Sequence, residues 1–377
     1  MLDMRSIING IWLSLCCIGL ITRAEANQHT NIQTVFIIVM ENVSWSAIKA
    51  SASAPYINST LLPMASYCEQ YYTAPGVASS LPDYLWLEGG TNYGITTSPE
   101  PSTSAGRIRD TNHLVTVLFK AGISWKSYQE NISGTTCPTN SSGLYAAYHN
   151  PHVYFDDVTT NAAYCLAHIR PYTELARDLR SNTVARYNFI TPNLCDDMHN
   201  GSGCATTDRI RNGDNWLAQE IPRIMNSQAY SNNGAIFLTW DESNLPPTAS
   251  PIGMIVISPL AKGHGYFNTN YYTHASTLRT MQEIFGVRPF LYGANSVSSL
   301  ADLFLPTIRL QAPQLFGNGN FQFNVAGDVS GKTNVVQNSA DLKTWTNVAT
   351  NNPGTNSYLF TTPTTLPKGF FRLRQQF

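Results

Sequence analysis

The stretch TVFIIVMEN, residues 34–42, is an apolar run that ends in two adjacent polar residues, Glu41 and Asn42. A short, uninterrupted apolar run is typical of a strand that is buried on both faces, as in parallel sheets. In open α/β sheets the carboxyl ends of such strands face the ligand crevice. The sequence therefore places Glu41 and Asn42 where a ligand could bind, although a polar strand end that bonds a turn is the simpler alternative.

A second apolar stretch, AIFLTWDES at residues 235–243, also ends on adjacent acids, Asp241 and Glu242. If the two strands are neighbours in a parallel sheet, their polar ends converge at one edge. Burying clustered carboxylates without compensation costs on the order of several kcal/mol each, so a bound divalent cation is the best explanation of such a cluster. Oxygen ligands favour calcium, magnesium or manganese, with zinc as a further option.

Buried strands alternate with helical patterns over most of the chain, which predicts α/β architecture with a mostly parallel sheet flanked by helices over residues 27–312. Strands are predicted at 34–40, 123–129, 235–240 and 253–259, and helices within 110–122, 213–227 and 273–286. Asp110 and Asp214 are predicted to cap the first two helices, and Gly286 is predicted to end the third.

Ser80, in GVASSLPDYLWLEGG at residues 76–90, precedes a short helical pattern that closes on two glycines. The simpler interpretation is a helix N-cap, a common role for serine. The same position also suits a nucleophile, because free N–H groups at a helix start stabilise an alkoxide and the phosphate that it attacks.

Two histidines lie in polar loops, His149 in YHNPHVYFDDV and His199 in ITPNLCDDMHNGSGC. Histidines in such loops are usually solvated, but the loop of His199 follows another apolar strand and is bracketed by two cysteines. The four aspartates of these loops are interpreted as caps and turn residues rather than ligands. They are Asp156, Asp157, Asp196 and Asp197.

Composition and the N-terminus narrow the class of protein. The chain has 377 residues, 43% of them hydrophobic, and 23 basic against 24 acidic side chains, so it lacks the basic field that binds nucleic acid.

Residues 1–26 are typical of a cleaved secretory signal, which predicts a secreted or periplasmic protein. In that compartment disulfides persist. The economical pairing is Cys195 with Cys204 and Cys137 with Cys165, which leaves Cys68 free.

The texture changes near residue 312, where short alternating stretches separated by Gly, Asn and Pro replace the helical patterns. A small all-β sandwich is predicted over residues 315–377, joined by the linker-like LQAPQLFGNGN at 310–320. The favoured role is a stabilising or secretion-related appendage. The alternative is attachment to a surface or glycan through exposed aromatic side chains.

Nine motifs, in order, resemble the phosphoesterase family that joins bacterial acid phosphatases and phospholipase C enzymes within the alkaline phosphatase superfamily. They are FIIVMENVSW, SSLPDYLWLEGG, ISWKSYQENI, YHNPHVYFDDV, YNFITPNLCDDMH, GDNWLAQEIP, AIFLTWDES, MIVISP and THASTLRTMQEIFG. The resemblance implies an alkaline-phosphatase-like fold. It implies that Glu41, Asn42, Asp241 and Glu242 hold a metal together with Ser80, the nucleophile.

The resemblance also implies that His149 and His199 contact the phosphoryl oxygens and that Asn42 touches the phosphate from the metal side. The chain departs from the family pattern twice. Ala78-Ser79 stands where the family often has His-Pro, and Asp83 stands where it often has Asn. The first departure removes one expected phosphate contact. Ser79 is the less suitable nucleophile, because its offset to Leu81-Pro82 differs by one.

The leading functional prediction is a secreted, metal-dependent phosphomonoesterase of the acid-phosphatase type, with a phosphoserine intermediate and a small phosphorylated substrate. One alternative is a phospholipase C-type phosphodiesterase, whose substrate would be a phospholipid. The sequence shows no basic amphipathic helix or exposed apolar loop of the kind that binds a lipid surface, which favours soluble monoesters as substrates. An alternative of another class is a non-catalytic secreted binding or adhesion protein. That alternative predicts the loss of Ser80 or of an acid, and all are present.

Overall fold

The structure is a computed structural model and describes residues 28–76, 79–244, 250–306, 308–327, 329–363 and 370–376. The predicted signal segment, residues 1–26, and Ala78 lie outside the described residues. Among the helices that the structure describes, none has both the length and the apolarity needed to cross a bilayer.

An eight-stranded, mostly parallel sheet organises residues 34–268, with strand order β5-β4-β6-β1-β7-β8-β2-β9. Two further short strands, β3 and β10, pair with each other. The strands up to residue 273 are β1 (Thr34–Met40), β2 (Ser66–Cys68), β3 (Tyr71–Tyr72), β4 (Trp125–Gln129), β5 (Ile169–Pro171), β6 (Tyr187–Thr191), β7 (Gly234–Trp240), β8 (Met254–Ile257), β9 (Tyr266–Asn268) and β10 (Tyr272–Thr273). Strands β6, β7 and β8 are buried along their whole length, as the apolar runs predict.

Helices flank this sheet. The α-helices are α1 (Trp45–Ile48), α2 (Leu62–Met64), α3 (Ser80–Gly89), α4 (Leu114–Lys120), α5 (Asp156–Thr159), α6 (Ala162–His168), α7 (Leu175–Ser181), α8 (Arg209–Met225), α9 (Gln228–Ser231) and α10 (His274–Phe285). The predicted mostly parallel α/β architecture is confirmed. One strand runs against it, since β8 is antiparallel to both of its neighbours, β7 and β2.

Two predicted helix caps are wrong. Helix α4 begins after His113 rather than at Asp110, and α8 begins after Asp208, whose side chain accepts a hydrogen bond from Arg211 N. Asp214 is buried inside α8, where its carboxylate accepts hydrogen bonds from the backbone N–H groups of Tyr56 and Ile57. It therefore caps a neighbouring segment instead of its own helix. Gly286 does end α10, at φ +67°, as predicted.

Both predicted disulfides are present, Cys137 to Cys165 and Cys195 to Cys204, and Cys68 is a buried free thiol. The second disulfide closes the loop that follows β6. The sequence Asp196 to His199 therefore lies inside a covalently closed segment at the edge of the sheet.

Two three-stranded antiparallel sheets form the C-terminal part, in the orders β11-β12-β15 and β14-β13-β16. Their strands are β11 (Arg309–Leu315), β12 (Asn320–Ala326), β13 (Thr333–Ser339), β14 (Thr346–Asn351), β15 (Ser357–Pro363) and β16 (Phe370–Gln376). Phe323 and Phe360 of one sheet pack with Val336 of the other in a separate core. The predicted all-β sandwich is confirmed, but its first strand uses residues that the sequence suggested were a linker.

Candidate active site

The carboxyl ends of β1 and β7 lie side by side, as the two polar pairs predict. The strands pair in parallel register up to Met40 and Trp240, so Glu41 and Asp241 follow at the same level, and both are fully buried. Asn42 turns the chain at φ +49°, a left-handed conformation that Asn tolerates better than most residues. Its backbone N–H donates to Asp241 Oδ1 at 2.9 Å, and its side-chain Nδ2 donates to Glu41 Oε2 at 2.8 Å.

Ser80 is the first residue of α3 and is buried. Its Oγ donates a hydrogen bond to Glu41 Oε2 at 3.2 Å. The neighbouring Ser79 is directed elsewhere, since its Oγ lies 2.7 Å from the hydroxyl of Ser98. Of the two serines, Ser80 is thus the one that contacts the carboxylate at the strand end.

His149 lies between two buried carboxylates. Its Nε2 is 3.2 Å from Glu41 Oε1, and its Nδ1 is 3.3 Å from Asp197 Oδ2. The imidazole stacks on the ring of Tyr84, whose hydroxyl donates to Glu41 Oε1 at 2.7 Å. Glu41, His149 and Asp197 therefore each offer a ligand atom, and these atoms lie within 4.8 Å of one another.

His199 lies at the rim of the same cluster. Its backbone N–H donates to Asp197 Oδ1 at 2.7 Å, and its ring is 5.8 Å from that of His149. Met198 and Asn200 on either side both have positive φ, at +77° and +84°. This strained turn aims the Asp197 carboxylate inward and leaves the imidazole of His199 half exposed.

Asp83 and Glu242 extend the acidic cluster beyond Asp241. Asp83 is fully buried, and one of its oxygens, Oδ2, has no hydrogen-bond partner among the described residues, as is also true of Asp241 Oδ2. Glu242 is half-buried and interacts electrostatically with both aspartates. His274 Nε2 donates to the backbone oxygen of Asp241 at 2.6 Å and lies 3.6 Å from Asp83 Oδ1.

Comparison with known proteins gives the chain its family. Residues 51–288 match the model of the Phosphoesterase family. The chain belongs to this family. A phosphatidylinositol-3-phosphatase of Mycobacterium tuberculosis is 28% identical over 70% of this chain and 80% of its own length. A phosphate-repressible acid phosphatase of Penicillium chrysogenum is 25% identical over 59% of this chain and 54% of its own, so the chain spans about half of that relative.

Among solved structures, murine ectonucleotide pyrophosphatase/phosphodiesterase 5 is similar, with 10% identity, a TM-score of 0.50, and coverage of 72% of this chain and 100% of that one. At this identity the likeness shows the fold alone. The family match and the phosphatase names of the relatives confirm the predicted enzyme class, a phosphoric ester hydrolase.

The electrostatics of this phosphoesterase site would suit a bound cation. Burial, followed by the charges of neighbouring aspartates, raises the pKa of Glu41 well above its usual value. Burial likewise raises the pKa of Asp197. Burial lowers the pKa of His149 to about 3 and that of His274 to about 4, so both imidazoles are neutral near pH 7 and cannot balance the carboxylates. A buried acidic cluster with unpaired oxygens and neutral histidines is suited to a divalent cation.

Three residues of this site are not among the residues predicted from the sequence. Asp197 was interpreted as a turn residue, Tyr84 was not noticed within its helix, and His274 was treated only as part of a helix. Asp197 carried a signal, because it follows the strand next to β1 inside a disulfide-closed loop. Tyr84 carried a weaker one, since it lies one helical turn after Ser80 and thus on the same face.

Proposed function

We propose that this chain is a secreted, metal-dependent phosphomonoesterase of the acid-phosphatase type that works through a phosphoserine on Ser80. The observation that carries the proposal is the position of the Ser80 hydroxyl, 3.2 Å from Glu41 Oε2 within a cluster of buried carboxylates. Ser80 also opens the ten-residue helix α3, whose free N–H groups and dipole favour a phosphate.

The donor set supports a divalent cation in this site. Asp83 and Asp241 each have one buried carboxylate oxygen that no described residue hydrogen-bonds, and a cation satisfies such atoms. We propose that the cation is held by the predicted ligands Glu41, Asn42, Ser80, Asp241 and Glu242, with Asp197 and His149 as additional ligand candidates. When bound, a divalent cation lowers the pKa of a coordinated hydroxyl and offsets charge on the phosphoryl group. A histidine nitrogen among the donors makes zinc a candidate as well, beside the calcium, magnesium and manganese that oxygen ligands favour.

In the proposed reaction, each residue of the site has a separate role. Ser80 Oγ attacks phosphorus in line while Glu41 Oε2, its hydrogen-bond partner, is placed to take the proton. The ester oxygen leaves with its bonding electrons and takes up a proton from water. Asn42, His149 and His199 would stabilise the equatorial oxygens. The hydroxide left from that water next attacks the phosphoserine from the vacated side, while Oγ departs with its bonding electrons and takes back the proton held by Glu41. Two inversions then give net retention at phosphorus.

The relatives support monoesters as substrates. Both curated relatives described above are named as phosphatases, one for an acid phosphatase activity and one for phosphatidylinositol 3-phosphate. The mycobacterial relative favours a second candidate, a phosphomonoester carried on an inositol lipid headgroup. The two disulfides, together with the predicted signal segment, support export to an oxidising compartment.

The test compares p-nitrophenyl phosphate, bis-p-nitrophenyl phosphate and phosphatidylinositol 3-phosphate, each with and without chelator. We expect rapid hydrolysis of a monoester that a chelator abolishes and that added metal restores. Ser80→Ala should lower kcat by roughly 10⁴-fold or more, as loss of a nucleophile does elsewhere. Ser79→Ala is the matched control and should remain active. Chelator-resistant turnover, a faster diester reaction, or an active Ser80→Ala enzyme would each refute part of the proposal.

A further inference from the structure

A second buried group of ionisable side chains surrounds Glu88, in the last turn of α3. His113 Nδ1 lies 2.8 Å from Glu88 Oε1, and His152 Nε2 lies 3.4 Å from Glu88 Oε2. The other ring nitrogen of His113 lies 3.1 Å from Asp157 Oδ1. The side chains of Glu88, His113 and His152 are completely buried, and that of Asp157 is 24% exposed. The predicted site residues do not include any of the four.

The two histidines favour the charged form of the Glu88 carboxylate. Burial opposes its charge, but the adjacent His152 and His113 outweigh burial and lower its pKa. Burial also opposes charge on His113, while its hydrogen bonds to Asp157 and Glu88 raise its pKa. Glu88 Oε1 additionally accepts the backbone N–H of Val115 at 2.8 Å, at the start of α4. Removing one partner of a buried charge destabilises the protein far more than removing one partner of a charge on the surface.

This group joins two segments of the candidate active site, helix α3 with Ser80 and the segment that carries His149. Helix α3 begins at Ser80 and carries Glu88 in its last turn, so the two residues have a fixed separation of roughly 12 Å along the helix. His152 follows His149 by three residues, and its Nδ1 lies 3.3 Å from Asn150 Oδ1. Asn150 in turn donates to the Tyr145 hydroxyl at 3.1 Å. The segment around His149 is therefore anchored on the helix that presents Ser80.

We propose that Glu88 is a positioning residue, which acts through His152 to hold His149 at a fixed place relative to Ser80. The inference rests on the proposed function, because it assumes that both residues serve phosphate binding and transfer. The longer element is α3, whereas His149 and His152 lie in two short 3-10 helices, Ala147–His149 and Pro151–Tyr154. A displacement of about 1 Å at a reacting site is enough to cost on the order of 10²-fold in rate.

The experiment uses Glu88→Gln, which keeps the size of the side chain and removes its charge. We expect kcat/KM for p-nitrophenyl phosphate to fall roughly 10- to 100-fold and the affinity for inorganic phosphate to weaken in the intact, metal-loaded protein. In a His149→Ala background the same substitution should have no further effect on phosphate affinity, since the residue it positions is absent. Asp178→Asn is the control. Asp178 is also a buried carboxylate, but it accepts hydrogen bonds from Lys126 and Tyr128 instead.

His152→Gln removes the same link from its other end and serves as the second variant if Glu88→Gln fails to fold. Its effect on phosphate affinity should match that of Glu88→Gln and should also vanish in the His149→Ala background. Normal phosphate affinity in folded Glu88→Gln, or an equal loss with and without His149, would overturn the positioning role. An inactive Ser80→Ala enzyme beside a fully active Glu88→Gln enzyme would refute this inference and leave the proposed function standing.

Discussion

The Glu41 carboxylate is the meeting point of the site. It accepts hydrogen bonds from Asn42, Ser80 and Tyr84, and the ring of His149 lies 3.2 Å from it. A carboxylate that accepts this many bonds is held in one orientation, which in turn fixes the direction of the Ser80 hydroxyl. This geometry explains why an acid follows strand β1, at a position where an uncharged residue would have been sufficient to form the turn.

Asp197 provides a prediction about metal binding. Asp197→Asn should weaken the affinity for manganese or magnesium by at least roughly 10-fold, because it removes a buried charge next to Glu41 and His149. The matched control is Asp196→Asn, because the adjacent Asp196 side chain accepts instead from Asn193 Nδ2 at 2.9 Å. Titration calorimetry on both variants measures the difference. Equal affinities for the two variants would exclude Asp197 from the cation site.

Glu41, Asn42 and Asp241 could be predicted from the sequence because each directly follows a buried strand, so the pattern alone fixes their place. Asp197 could not be predicted in the same way. It is separated from β6 by a loop, and its inward direction depends on the disulfide and on the positive φ of Met198. Such backbone conformations come from tertiary contacts and leave little trace in residue type.

The candidate site residues follow the three neighbouring strands β6, β1 and β7. Strand β1 lies between β6 and β7, and all three run parallel, so their carboxyl ends open at one edge. Each contributes to the site, β1 through Glu41, β7 through Asp241 and the loop after β6 through Asp197. The parallel pairing of β1 with β7 was implied by the sequence, since both runs end on acids. The reversed direction of β8 was not, because an apolar run reads the same in either direction.

Asp214 gives a prediction for a pair of elements. Its carboxylate joins α8 to the segment that starts at Tyr56 by accepting two backbone N–H groups, each at 2.9 Å. Asp214→Ala should lower the free energy of unfolding by about 1–3 kcal/mol, because it leaves these donors without an acceptor. Urea denaturation measures the loss. A loss no larger than the roughly 0.5 kcal/mol typical of exposed positions would contradict this role.

At the scale of the molecule, the described residues form two separate hydrophobic cores. The larger core lies around the eight-stranded sheet, and the smaller one holds the two C-terminal sheets together through side chains such as Phe323 and Phe360. All the candidate site residues belong to the first part. The boundary between residues 312 and 315 stays a prediction, as does attachment of the C-terminal sheets to a surface or glycan.

The N-terminal end of the described chain is linked to α10 by a hydrogen bond to Glu283, whose carboxyl group predicts a pH dependence. His29 Nε2 lies 3.0 Å from Glu283 Oε2, and Arg279 donates to the same carboxylate. Burial opposes the charge of Glu283, but these partners outweigh it and lower its pKa to about 2. The folded state therefore binds fewer protons than the unfolded state, so this stabilisation is complete above about pH 4.5 and disappears as the pH falls towards 2.

Glu283→Gln should accordingly reduce the free energy of unfolding by about 1.5–3 kcal/mol at pH 7, and by progressively less between pH 4.5 and pH 3. Denaturant unfolding across this pH range provides the measurement. The control is Glu69→Gln, because Glu69 pairs with the 42% exposed side chain of Lys49, and such surface pairs contribute about 1 kcal/mol at most. A difference that stays constant from pH 7 to pH 3 would contradict the assignment.

The covalent role of Ser80 is tested most directly by trapping the phosphoenzyme. Metal-loaded protein is mixed with p-nitrophenyl phosphate, quenched in acid within one turnover, and analysed by peptide mass spectrometry. The mechanism proposed here predicts a single phosphate on Ser80, retained in Ser79→Ala and absent from Ser80→Ala. Phosphate on Ser79, or turnover by an enzyme that never acquires phosphate, would contradict it.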